Sequence, residues 1–230
     1  MTTTGSVEQP AQPGRPEQAG GTERPGQTDP PERPAGPRIT PLRDPSGAAI
    51  ASLHAVDSIR ADAPTLNIFA TLARNPPLLD HFGRFFTFLL KDGAVPGRER
   101  ELVILRVGWR TGSVYEFGQH TVEGLREGLS GDEIAAIAEE GAQPDRWSTD
   151  DRALLSMADE LCLHDRVSEG TWGVLARRWS EAELLELLVL AGGYRMVCGL
   201  LNAVGIELDE GIPGWPAPTG TPLSGRVESG

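Results

Sequence analysis

Apolar residues recur at helical spacing through the middle of the chain, and this spacing limits what the chain can fold into. One run places Leu78, Phe82, Phe85 and Leu89 three or four positions apart, on one face of a helix. No segment alternates β-branched and polar residues between hairpin turns, as a β-strand would. The sequence therefore predicts an all-α fold, a compact bundle of about eight helices.

Gly, Pro, Asn and Ser residues mark the ends of the predicted helices. These helices cover approximately residues 48–60, 67–73, 76–91, 97–109, 114–128, 131–141, 148–164, 168–179 and 180–205. Ser113 fits the N-cap position before one of them, and Glu116 falls three residues later. Together the two residues predict a capping box, in which each side chain binds the backbone N–H of the other.

The two ends of the chain differ in composition from its middle. The first forty or so residues are rich in Pro, Gly, Gln and charges and contain almost no large apolar side chains. Such a segment buries too little surface to offset the entropy lost on ordering. We therefore expect a disordered tail over 1–40, a helical domain over 41–210 and a flexible tail over 211–230, with both tails solvated.

Charge and cysteine content exclude several classes of protein. The net charge is −12 and the only lysine is Lys91, so no basic cluster exists to neutralise phosphates and nucleic acid is not an expected partner. Cys162 and Cys198 form no CxxC arrangement, which favours a cytoplasmic protein. We find no signal-peptide pattern, and we interpret the apolar run from Leu184 to Val204 as one or two buried helices, not a membrane span.

The segment from Glu101 to His120 contains the cluster that predicts chemistry. Glu116 and His120 lie one helical turn apart on one face, and Glu101 lies one predicted helix earlier, beyond the breaker Thr111–Ser113. A carboxylate and an imidazole at this spacing share a proton readily, and a second carboxylate completes a relay. The sequence therefore predicts an acid–base site.

The order of these residues is E-x11-S-x2-E-x3-H, at Glu101, Ser113, Glu116 and His120. It resembles the carboxymuconolactone decarboxylase family, within the alkyl hydroperoxidase D-like (AhpD-like) fold, whose peroxidase members carry E-x11-C-x2-C-x3-H. This chain keeps the glutamate and the histidine and replaces both cysteines. The segment YEFGQH is similar to the decarboxylase branch, as are the flanks PGRERELVILRV and GLSGDEIAAI. The resemblance covers about 67–209.

The resemblance implies an all-helical AhpD-like fold that assembles into trimers or hexamers. It also implies a cofactor-independent carboxy-lyase or isomerase that acts on a small carboxylated lactone or keto acid. In that reaction we expect His120 to donate a proton to carbon. Glu116 would hold the imidazole tautomer and keep its pKa near neutral, and Glu101 would relay protons.

Four further residues are predicted to bind the substrate. Arg106 is suited to grip a carboxylate with two hydrogen bonds, although a salt bridge to a nearby acidic residue is its alternative. Tyr115 and Trp109 are predicted to line a pocket. Ser113 is predicted to lie at the site, with a helix cap as its alternative. No metal is expected, because the other histidines lack ligand spacing.

Two other functions stay open at this point. The chain could be a non-catalytic helical oligomer that binds a small ligand or a protein partner. It could also be a thiol peroxidase through Cys162 or Cys198, which the absence of a dicysteine motif disfavours, because neither a thiolate nucleophile nor a resolving thiol stands at the motif.

Overall fold

The structure is a computed structural model that describes Met1 and residues 32–57, 65–139 and 145–216. In these ranges it contains helices and no β-strand, so the all-α prediction is confirmed. The helices are α1 Ala48–Asp57, α2 Asn67–Leu72, α3 Pro76–Thr87, α4 Gly97–Arg110, α5 Val114–Arg126, α6 Gly131–Ile137, α7 Thr149–His164, α8 Glu169–Arg178 and α9 Glu181–Val204. A π-helical turn, Phe88–Asp92, extends α3. Of the predicted helix ends, 58–60, 140 and 141 lie outside the described residues.

Serine side chains begin several of these helices. Ser148 and Ser168 each accept a hydrogen bond from a backbone N–H three residues later, and Ser130 and Ser180 form full capping boxes. The capping box predicted at Ser113 is absent, because its side chain makes no cap hydrogen bond. Helix α5 therefore begins without a side-chain cap.

Helix α4 lies at the centre of the fold and packs against α5, α7 and α9. Its residues from Arg100 to Gly108 are all buried, whatever side of the helix they occupy. Three of them, Arg100, Glu101 and Arg106, carry charge, and a buried charge requires a partner of opposite sign. Helix α4 therefore places charged groups in the interior, and their partners decide which of them belong to a site.

Helix α9 is long and apolar enough to cross a membrane by length and composition alone. In the structure, however, it is a core helix, and 44% of its most apolar stretch of 18 residues is buried. Leu187, Leu190 and Leu201 point into the core, while Leu185 and Met196 are exposed on the opposite face. The predicted buried segment is therefore a single helix with only one buried face.

The segment after α9, residues 206–216, lies along α5. Gly118 leaves room for it, since a Cβ at that position would overlap the carbonyl oxygen of Pro213. Trp215 stacks against Phe117 with ring centroids 5.1 Å apart. Part of the predicted C-terminal tail is thus in contact with the domain, and we name residues 206–216 the C-terminal strap.

Part of the predicted N-terminal tail also contacts the domain. The backbone N–H of Arg38 donates to the carbonyl of Val204 at 2.7 Å, and the Arg33 side chain donates to the carbonyl of Gly112. The rest of the predicted tail, residues 2–31, lies outside the described residues.

Candidate active site

A tight turn brings the two site helices together. Gly112, between α4 and α5, has φ +65°, a left-handed conformation that favours glycine. The backbone of Phe117 packs close to Gly108, where a Cβ would lie 3.3 Å from the Phe117 nitrogen. This close approach places Glu101 on α4 opposite the face of α5 that carries Glu116 and His120.

The imidazole of His120 lies between two carboxylates. Its Nδ1 is 2.6 Å from Glu101 Oε2, and its Nε2 is 3.0 Å from Glu116 Oε1. All three residues are buried, with exposed fractions of 7% for His120, 1% for Glu101 and 4% for Glu116. The structure therefore brings together the three residues that the sequence predicts as catalytic.

The two carboxylates keep His120 protonated. Burial lowers its pKa, but the charges and hydrogen bonds of Glu101 and Glu116 outweigh that effect and raise the pKa from 6.5 to about 10. The expectation of a pKa near neutral is therefore wrong, because the second carboxylate adds to the first instead of only offsetting desolvation. At neutral pH the ring is an imidazolium, and each nitrogen donates to one carboxylate.

These contacts form a row of alternating charge. Arg100 Nε lies 3.2 Å from Glu101 Oε1, and Glu101 in turn contacts His120, which contacts Glu116. Glu116 is the end of the row, and no donor among the described residues meets its Oε2. Because both nitrogens of His120 are occupied, Glu116 is the member of the row best placed to touch a ligand.

A cavity of about 580 Å³ opens beside this row. Aromatic and aliphatic side chains form much of its wall, from Leu66, Ile68, Phe69, Phe82, Phe86, Leu90, Tyr115, Tyr194 and Val197. Glu101, Glu116 and His120 line the same cavity, together with Arg100 and Gln119. A mostly apolar hollow with a few convergent polar groups is the usual form of a small-molecule site.

Tyr115 lines the cavity, as predicted, but its hydroxyl is already engaged. It donates to Asp209 Oδ2 at 2.5 Å and accepts from the Ile68 backbone N–H at 3.4 Å. Burial and the hydrogen bond to Asp209 raise the pKa of Tyr115, so the phenol stays protonated. Asp209 also accepts from Gln119 Nε2 at 2.8 Å. Sequence reasoning did not predict a site role for Asp209 or Gln119.

Tyr194 of α9 is a further neighbour of His120. Its ring meets the imidazole edge to face, with centroids 5.1 Å apart. Burial raises the pKa of Tyr194 well above its usual value, so it too is a neutral phenol. Tyr194 therefore packs against the imidazole without competing for its nitrogens.

Arg106 lies outside the cavity lining. Its Nε and Nη2 donate to the two oxygens of Asp159 at 2.6 and 2.7 Å, and its Nη1 donates to the carbonyls of Ile137 and Glu139. The residue is fully buried, with no surface left for a substrate carboxylate. The salt-bridge alternative describes Arg106, and we leave it out of the candidate site.

Asp159 joins Arg106 to a second arginine. Burial alone would raise the pKa of Asp159, but the hydrogen bonds from Arg110 and Arg106 outweigh this effect and lower it. The guanidinium carbons of Arg106 and Arg110 each lie 4.8 Å from the ring centroid of Trp109. Trp109 is therefore part of this ion-pair cluster and does not line the cavity, contrary to its predicted role.

Ser113 and the cysteines are also outside the cavity. The Ser113 hydroxyl is buried, meets no hydrogen-bond partner among the described residues and does not line the cavity, so the predicted cap is not formed and the predicted place in a substrate site is wrong. Both cysteines are unpaired, and burial raises the pKa of each thiol. Neither Cys162 nor Cys198 therefore has the lowered pKa of a reactive thiolate. Among the described residues no group of His, Cys, Asp and Glu is arranged to hold a metal ion.

The helical fold and the paired site helices define a class of protein with an AhpD-like fold. Comparison with family models gives a more specific result, because the model of the carboxymuconolactone decarboxylase family matches residues 76–159. The matched segment contains the site helices α4 and α5. Over that segment the chain is similar to this family. A search of curated proteins finds no match.

Solved structures support the fold at low sequence identity. An alkylhydroperoxidase AhpD core, an uncharacterized peroxidase-related protein from Ralstonia eutropha JMP134, has 18% identity and a TM-score of 0.64, covering 75% of this chain and 93% of that one. A peroxidase-related protein from Silicibacter sp. TM1040 has 17% identity and a TM-score of 0.63, covering 80% and 96%. A variant of the debrominase Bmp8 in complex with 2,3,4-tribromopyrrole has 16% identity and a TM-score of 0.61, covering 75% and 91%.

Proposed function

We propose that this protein is a cofactor-independent lyase or isomerase that transfers a proton to or from carbon in a small carboxylated lactone or keto acid. The observation that carries the proposal is a buried imidazolium held between two carboxylates at the wall of a mostly apolar cavity. Such a group stores a proton away from bulk water, where a positioned acid is most effective.

In this proposal Glu116 is the catalytic residue, because its free oxygen meets the substrate. When carbon dioxide leaves, the C–C bond breaks and its electron pair moves into the conjugated carbonyl group as an enolate. A proton from the Glu116–His120 pair then adds to carbon, and solvent replaces it. His120 supplies the proton and positive charge behind Glu116, which corrects the expectation that His120 itself touches carbon. Glu101 holds the imidazolium in place.

The test uses a set of small carboxylated lactones and keto acids in deuterated water. Turnover is followed by carbon dioxide release and by NMR detection of deuterium at carbon. Glu116→Gln and His120→Gln should each reduce turnover by about 100-fold or more, the range that a positioned acid contributes. Glu99→Gln, on α4 but outside the cavity lining, is the matched control. Unchanged turnover in Glu116→Gln, with the fold intact by circular dichroism, contradicts the mechanism.

The alternative of a ligand-binding scaffold gives a different result in the same experiment. A scaffold would be stabilised against heating by ligands that fill the cavity, and it would consume none of them. Binding without deuterium incorporation would therefore favour the scaffold over the enzyme. The free cysteines and the core position of α9 agree with a cytoplasmic location, which remains part of the proposal.

We also propose that the protein associates with copies of itself through α9. Exposed apolar or small residues recur on this helix with alternating steps of three and four, at Ala182, Leu185, Val189, Gly192, Met196, Gly199 and Ala203. This is the spacing of the contact seam of a coiled coil, so the face is suited to pack against an identical helix. A Cβ at Gly192 or Gly199 would meet no atom within 4 Å, so both leave open space for a close neighbour.

A further inference from the structure

Among the residues that the structure describes, no donor meets one acceptor atom on the cavity wall. Gln119 lies three residues after Glu116 on α5, so the two side chains are neighbours on the same helical face. Gln119 is only 8% exposed and lines the cavity. Its Nε2 donates to Asp209 Oδ2 at 2.8 Å, while no donor among the described residues meets its Oε1.

Asp209 determines which end of the amide faces the cavity. A carboxylate accepts hydrogen bonds and does not donate them, so Gln119 must turn its NH2 group toward Asp209. The Tyr115 hydroxyl donates to the same oxygen at 2.5 Å, and the Asn67 backbone N–H donates to the other oxygen at 2.9 Å. Three donors from two helices thus converge on one carboxylate. The amide oxygen of Gln119, which can only accept, is left for a ligand.

We propose that Gln119, oriented by Asp209, forms a subsite that selects ligands with a hydroxyl or ring N–H group beside the atom on which Glu116 acts. The body of such a ligand is a small planar ring, because Phe82 and Phe86 contribute aromatic side chains to the wall of the same cavity. The subsite deepens the proposed function and rests on it for the acid–base role of Glu116. Its test requires binding alone.

Indole and benzofuran are suitable probes because they have nearly the same shape. Indole presents an N–H donor where benzofuran presents an oxygen acceptor. Wild-type protein should bind indole about tenfold more tightly in an NMR titration, since benzofuran leaves the Gln119 oxygen desolvated and unpaired.

The variant Asp209→Asn should reverse that preference. The Asn67 N–H retains the new side-chain oxygen, so the new NH2 group faces Gln119. Gln119 then turns to accept from it and presents its own NH2 group to the cavity. A loss of overall stability alone would weaken both probes together and would not exchange their order.

The control variants distinguish the orientation of the Gln119 amide from a general structural support of the cavity wall. Tyr115→Phe removes one hydrogen bond to the same carboxylate without turning Gln119, so the preference for indole should persist. Glu210→Gln, an exposed change in the same strap, should also leave it unchanged. Gln119→Leu should abolish the preference for indole over benzofuran. This variant tests the subsite if Asp209→Asn does not fold.

Equal affinity of the wild type for the two probes would overturn the subsite. An unchanged order in folded Asp209→Asn would overturn the role of Asp209. His120→Gln should lose turnover and keep the preference for indole. A failure of the proposed chemistry is therefore distinguishable from a failure of the subsite.

Discussion

Raising the pH should remove the charge of His120 and, with it, part of the folding stability. The folded protein raises the pKa of this group from 6.5 to about 10, because Glu101 and Glu116 bind the protonated ring. A group whose pKa is higher in the folded state stabilises the fold fully below its unfolded pKa. That stabilisation is lost as the pH rises through the folded value.

The size of this effect follows from the pKa. Each pKa unit of difference between the folded and unfolded states corresponds to about 1.4 kcal/mol. The rise from 6.5 to about 10 therefore corresponds to about 5 kcal/mol of unfolding free energy. Small domains have only about 5–15 kcal/mol in total, so the loss should be easy to measure. Burial also raises the pKa values of Tyr115, Tyr194 and Cys198, so the stability that these groups contribute also falls toward the top of this range, and subtracting the curve of His120→Gln removes their contribution.

Urea unfolding of the wild type and of His120→Gln, at a series of pH values between about 6 and 10, measures this contribution. The wild type should lose stability across this range, and the difference between the two proteins should shrink by up to about 5 kcal/mol. An NMR titration of the His120 ring gives its pKa directly. Parallel stability curves, or a ring that titrates near its usual value, would refute the reasoning.

Three other changes test separate parts of the structure. Gly192→Leu should prevent self-association in light scattering without lowering the stability of the monomer; an unchanged assembly would contradict the proposed α9 contact. Gly118→Ala should destabilise the fold by about 1–3 kcal/mol in urea unfolding, because its Cβ overlaps the strap, whereas Gly170→Ala, which meets no atom within 4 Å, should not. Replacing Cys162 and Cys198 together by Ser should leave peroxide consumption at its wild-type level; a rate that this double variant loses would restore the peroxidase alternative.

The geometry of the acid–base row could be predicted because it depends on local rules. Glu116 and His120 meet through helical spacing, and Glu101 joins them across a single turn between successive helices. The family pattern indicated which residues to compare. The charge of the row could not be predicted in the same way. It depends on how closely both carboxylates approach one ring, and nothing in the residue spacing distinguishes two strong contacts from one.

The substrate-binding residues were harder to predict, because α4 is buried on every side. Arg100 and Arg106 are both arginines of that helix, and only Arg100 lines the cavity. The side to which Arg106 turns is decided by Asp159, 53 residues further along the chain. Asp209 is 90 residues from Gln119, and no local pattern connects them. The one signal in the sequence for Asp209 was its acidic side chain shortly after the last predicted helix, and acidic residues are common at such positions.

The long separation between Asp209 and its partners has a consequence for synthesis in the cell. Asn67, Tyr115 and Gln119 leave the ribosome well before the carboxylate that they bind, which lies 142, 94 and 90 residues away along the chain. Proteins emerge from the amino end and begin to fold before they are complete. The nascent bundle can therefore form its proton-carrying helices before Asp209 is synthesised, and the wall of the cavity is completed only afterwards.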